Sequence, residues 1–132
     1  VSVFNQSWYN AVAKKYVNNS LKAARFSRAS GSKFALFFQP TLYSKQPLSP
    51  KESTFQAPRG MIKHMSGLQS AILRELAKAK TTSEFPHVYD LSDLYDGISD
   101  TVFVDFIHTT QESKKIVADF IFRSLEPLVT QP

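Results

Sequence analysis

Two kinds of apolar pattern alternate along the chain. Over about residues 4–29, Tyr9, Val12, Ala13, Tyr16, Val17, Leu21 and Ala24 recur near the i, i+3, i+4, i+7 spacing that gives an α-helix one apolar stripe. Lys14, Lys15, Lys22 and Arg25 fall mostly off that stripe, and Gly31 follows as a helix stop. Residues 34–38 (Phe, Ala, Leu, Phe, Phe) form a continuous apolar run too short for a helix. Bounded by Gly31-Ser32 and Pro40, the run predicts a strand buried on both faces, as in a parallel sheet. Residues 39–58 are polar and punctuated by Pro40, Pro47, Pro50 and Pro58. A loop of that length in a compact domain is often functional, so it either lines a substrate cleft or wanders over the surface.

A second helix is expected over 59–80, with Met61, Ile62, Met65, Leu68, Gln69, Ile72, Leu73 and Leu76 on one face. Lys78 and Lys80 in its last turn have the charge sign that suits a helix C-terminus. Residues 87–91 read as a short strand, Asp93, Asp96, Gly97 and Asp100 as an acidic turn region, and 101–106 as a second β-like run. A final helix over 110–125 turns Ile116, Val117, Phe120, Ile121 and Leu125 inward, with Thr109 and Glu112 as its S/T-x-x-E capping box. The order helix, strand, helix, short strand, strand, helix is α/β: a parallel sheet flanked by helices on both sides, in a single domain spanning 1–132. Sites in such sheets lie outside the carboxyl ends of the strands, here the loops after Phe38 and Phe106.

Composition narrows the class. Hydrophobic residues make up 42% of the chain, eleven of them Phe, enough for a real core and against intrinsic disorder. The apolar stretches are short and interrupted, so a span of about 20 apolar residues is excluded. Zero Cys excludes disulfides, thiolate metal sites, iron–sulfur clusters and cysteine nucleophiles, and leaves the compartment open. A start at Val1 without Met or apolar leader suggests a processed or truncated chain. The net charge of +5 conceals an asymmetry. Residues 1–80 carry thirteen Lys/Arg against Glu52 and Glu75, while 81–132 carry three against nine acids. The basic residues are scattered singly and no nucleic-acid motif accompanies them, which favours solvated helix faces over a nucleic-acid surface.

The chemistry concentrates in Asp105-Phe106-Ile107-His108, at the end of the last expected strand. Three residues of separation across a strand-to-helix turn lets the carboxylate reach the imidazole Nδ1–H. That contact fixes the tautomer and leaves Nε2 free to accept a proton. It also stabilises the imidazolium formed when His108 acts as a base. The bland reading is that Asp105 caps the turn and His108 is a surface residue.

Other candidates carry less. His64 has no second His or acid at i±4 and reads as a surface helix residue, and His87 at a strand start has no role. Asp90, Asp93, Asp96 and Asp100 are spaced three, three and four apart, unlike the alternate acids and twelfth-position Glu of an EF-hand, so no metal site is expected. Asn5-Gln6-Ser7 and Asn18-Asn19-Ser20 are formal glycosylation acceptors, but both lie on the first predicted helix.

The segment Val102-Phe103-Val104-Asp105-Phe106-Ile107-His108-Thr109-Thr110-Gln111-Glu112-Ser113 resembles the Asp-x-x-His block that runs into the terminal helix of SGNH (GDSL-like) hydrolases. Residues 37–49 and 90–97 resemble other stretches of some members, so the likeness covers most of the chain. Ser113 stands where many members have Gly. The family's Gly-Asp-Ser nucleophile block, its oxyanion-hole Gly and its Gly-x-Asn-Asp block have no counterpart here, and there is no G-x-S-x-G. The resemblance therefore implies the C-terminal portion of a three-layer, flavodoxin-like SGNH domain, incomplete in this chain. His108 and Asp105 would be base and orienting acid of a serine ester hydrolase or O-acyl transferase. The missing N-terminal part would bring the Ser and oxyanion donors, as a separate chain or lost to truncation, and this chain alone would be inactive. The substrate would be a small-molecule, sugar or lipid ester, with no cofactor, no metal, no nucleic acid and no membrane span. The alternative is a non-catalytic α/β interaction domain whose basic first half binds an anionic partner.

Overall fold

In the computed structural model, which describes residues 4–55 and 59–130, the elements are α1 (Gln6–Ala29), β1 (Leu36–Phe38), a 3-10 turn (Glu52–Thr54), α2 (Arg59–Lys80), β2 (Val88–Asp90) and α3 (Gln111–Thr130). The chain divides into two compact units, residues 4–36 with 59–89 and residues 37–55 with 90–130. Among the described residues there are three α-helices and a small parallel two-stranded sheet, a mixed arrangement consistent with the α/β class. Among the described residues no helix is long and apolar enough to cross a membrane.

In the first unit α1 begins where Asn5 turns its side-chain oxygen to the Trp8 N–H at 3.0 Å. That first formal glycosylation acceptor therefore caps a helix. The chain leaves the far end through Gly31, whose φ of 72° is costly for any residue with a Cβ. Ala13, Val17 and Ala24 of the expected stripe are buried. On α2 the buried positions are Ala71, Ile72, Leu76 and Ala79, whereas Met61 and Ile62, expected inward, are 46% and 44% exposed. The two alanines are what a count of large apolar residues passes over: small side chains let helices approach closely.

The helices run side by side in the same direction. Tyr9 lies against Gly67, Asn10 accepts a hydrogen bond from Arg74 at 3.0 Å, and Arg25 pairs with Glu84 beyond the end of α2 at 2.8 Å. A Cβ on Gly67 would come within 2.6 Å of the Tyr9 ring. Gly67→Ala is therefore expected to destabilise the protein by about 1–3 kcal/mol, read from the urea midpoint, despite alanine's better helix propensity. An unchanged or raised midpoint would show that the ring moves aside freely.

The strands pair in parallel, with Leu36 N–H donating to His87 O at 2.8 Å and Leu91 N–H to Phe38 O at 3.0 Å. Strand β1 is half-buried along its length rather than buried on both faces. A two-stranded sheet has too few neighbours to cover such a run completely.

The core of the second unit is Leu42, Tyr95, Val102 and Phe103, with Phe55, Leu94, Ile98, Phe106 and Val117 packed against it. Residues 101–106 are not a strand of the sheet, contrary to the sequence expectation. They form one arm of a hairpin-like turn closed by an antiparallel bridge between Phe103 and Thr109. Thr110 N–H donates to Val102 O and Val104 N–H to His108 O, each at 2.8 Å. Because Thr109 belongs to the bridge, the cap of α3 moves one residue on. Thr110 Oγ1 accepts from Ser113 N–H at 3.2 Å and lies 2.7 Å from Ser113 Oγ, in place of the expected Thr109–Glu112 box. Ser113 is buried, and its carbonyl accepts from the Tyr95 hydroxyl at 3.0 Å. The helix continues to Thr130, past the expected end at 125.

Candidate active site

Residues 39–55 form the bed of the site. Lys45 and Glu52, each 1% exposed, pair inside the second unit with Nζ 2.8 Å from Oε2. Buried charges persist when they are paired and hydrogen-bonded, and here both are. Oε2 also accepts from Ser49 N–H, and Oε1 from the N–H groups of Val102 and Phe103, all at 2.8 Å, while Lys45 Nζ donates to Pro47 O at 2.7 Å. Burial alone would raise the Glu52 pKa. The Lys45 ammonium and three backbone N–H groups more than offset that, holding it at about 2 against an ordinary 4.5. Two further links join this loop to the hairpin: Leu42 N–H to Phe106 O at 3.0 Å, and Ser49 Oγ to Thr101 Oγ1 at 2.9 Å. The Phe106 ring stacks on Tyr43 with centroids 5.7 Å apart.

At the hairpin tip, Asp105 folds its carboxylate back over the turn. Oδ1 accepts from the backbone N–H groups of Ile107 at 2.8 Å and His108 at 2.7 Å, and Oδ2 lies 2.6 Å from His108 Nδ1. The backbone N–H of His108, then that of Ile107, then the His108 ring hold the Asp105 carboxyl at about 2. It is ionised at neutral pH and can only accept, so Nδ1 carries the proton of the neutral ring. That makes Nε2 the basic nitrogen. The His108 side chain is 76% exposed, and no other described residue engages it. A hollow of about 290 Å³ lies in the same unit, lined by Ile107 and Thr109 on either side of His108 in sequence and by Lys114, Val117 and Ile121 of α3.

An Asp105→Asn substitution keeps the size but offers an amide N–H to Nδ1. Neutral His108 should then shift its proton to Nε2, which 15N spectra of the imidazole report directly. An unchanged tautomer would mean that Asp105 does not set it.

The structure thus brings together the two residues singled out for chemistry and gives other candidates hydrogen-bonding or packing roles. Asp90 Oδ1 accepts from Ser92 N–H and Asp96 Oδ1 from Gln46 N–H, both at 2.9 Å. Among the described residues no three His, Asp or Glu side chains gather where a metal could be held. His64 is not a bare surface residue: its ring lies 4.0 Å from that of Phe4, 5.3 Å from Trp8 and 5.5 Å from Tyr9. Lys45 and Glu52 were missed by sequence reasoning. The available signal was that Glu52 is one of two acids in the basic first 80 residues, set in a proline-rich segment. Compared with protein-family models, with curated proteins and with solved structures, the chain matches none.

Proposed function

We propose that Asp105 and His108 are the orienting acid and general base of an SGNH-like serine ester hydrolase or O-acyl transferase. The observation that carries this reading is the 2.6 Å Oδ2–Nδ1 contact, made by a carboxylate whose other oxygen is tied to two backbone N–H groups. In this reading His108 Nε2 takes the proton of a serine hydroxyl as its oxygen attacks an ester carbonyl. It then returns that proton to the departing alkoxide, and Asp105 stays ionised while stabilising the imidazolium. Water, or a second alcohol in a transferase, repeats the sequence on the acyl-serine. The serine and the oxyanion donors come from outside residues 1–132, in a part that would also complete the parallel pair β1–β2 into a three-layer, flavodoxin-like sheet. The substrate class is an ester of a small molecule, sugar or lipid.

Treating the intact protein with a fluorophosphonate, which phosphonylates activated serines, tests the proposal. Covalent labelling of one serine, together with hydrolysis of p-nitrophenyl acetate, is expected. No label and no hydrolysis would overturn the assignment.

A further inference from the structure

We propose that Glu52 is the positioning residue of the Asp105–His108 pair: its buried carboxylate grips the arm of the hairpin whose tip carries both. This rests on the reading of Asp105 and His108 as acid and base. Glu52 Oε1 accepts from the N–H groups of Val102 and Phe103, three and two residues before Asp105. These are the positions from which the hairpin closes, through Val102 O to Thr110 N–H and the Phe103–Thr109 bridge. Successive N–H groups of an extended strand point to opposite edges, so no single neighbouring strand would take both; here one carboxylate oxygen does. Glu52 and Lys45 are also the only charged residues in the buried set of the described structure, so their alignment tolerates little movement. Lys45 neutralises the carboxylate, and Ser49 and Pro47 hold the pair in register. The hydrogen bonds that hold Asp105 all fall within its own turn, so the direction of that turn depends on what holds its arms. Its aim is set from below, by the buried carboxylate.

The test separates holding the fold from aiming the dyad. In Lys45→Met/Glu52→Met both charges leave together, so no unpaired charge stays buried, but Val102 and Phe103 lose their acceptor. In Lys45→Met/Glu52→Gln the amide oxygen remains as an uncharged acceptor for Val102 and Phe103, and only the bond from Ser49 N–H is given up. The readout is the tautomer of neutral His108 in 15N spectra, alongside kcat and KM of the intact protein. The Met/Met variant should lower the Nδ1–H fraction at least about twofold. It should also lower kcat by roughly 10–100-fold with KM unchanged, the scale expected of a misplaced base. The Met/Gln variant should restore both. A folded Met/Met variant with the original tautomer and kcat would overturn the positioning role, as would failure of the Met/Gln variant to restore them. If Met/Met does not fold, amide exchange of the unsubstituted protein decides. Val102 and Phe103 should exchange slowly and in step with Val104 and Thr110, and fast, independent exchange would overturn the proposal. Loss of the Nδ1–H tautomer in the unsubstituted protein would instead sink the acid–base reading itself.

Discussion

Replacing His108 by Ala is expected to lower kcat/KM for ester hydrolysis by the intact protein roughly 10⁴-fold or more while leaving its stability almost unchanged. The two halves of that expectation have separate physical causes. In the proposed reaction the ring is the proton acceptor for the attacking hydroxyl, and without it the alcohol would attack unassisted. Yet the ring is largely exposed, and the turn depends on backbone groups that alanine retains: His108 N–H to Asp105 Oδ1 and His108 O to Val104 N–H. Exposed substitutions of that kind usually change stability by no more than about 0.5 kcal/mol. The loss should fall on kcat rather than KM, because the base acts in the transition state. Near-normal hydrolysis by the variant would end the proposal for this pair. Rates measured beside a urea midpoint keep loss of chemistry distinct from loss of fold.

Glu52→Ala should have the opposite profile, a large loss of stability before any question of catalysis. The substitution leaves a buried ammonium without a counter-charge and the N–H groups of Ser49, Val102 and Phe103 without their acceptor. Breaking a buried pair from one side costs about 3–5 kcal/mol, against a total stability of about 5–15 kcal/mol for an ordinary domain. Lys45→Met should cost less, since the carboxylate left behind keeps its three backbone donors. A shift in unfolding free energy below about 1 kcal/mol for Glu52→Ala would contradict the network described here.

The same group gives the sign of the acid response. Its folded pKa, about 2, lies below the ordinary 4.5, so its stabilisation is fully present above pH 4.5 and is lost as pH falls towards 2. For a carboxylate this well shielded the contribution is on the order of 2 kcal/mol. Asp105 is depressed in the same direction, so hairpin and bed should loosen together on acidification. Circular dichroism from pH 6 to about 2 should show stability falling through that window in the unsubstituted protein, with a weaker dependence in Lys45→Met/Glu52→Gln.

What the sequence by itself determined is the part governed by near neighbours. Helix α2 was legible to its ends and α1 to within two residues of its start, because amphipathic spacing and the flanking caps act within a few residues. The Asp105–His108 contact was legible for the same reason: three residues of separation across a tight turn put a carboxylate within reach of an imidazole, although what holds that turn in place was not legible. Tertiary structure alone decided the rest. Val102 and Phe103 are buried while Val104 is half exposed, and their apolar run reads as a strand until the structure shows Glu52, 50 residues away from Val102, taking both of their N–H groups on one oxygen. Lys45 and Glu52 likewise have the composition of a solvated loop, and only the closing of residues 39–55 over the hairpin puts both charges out of water. Periodicity records which face of a segment is apolar. Which remote segment will cover that face, and supply its backbone with partners, depends on contacts that carry no local spacing.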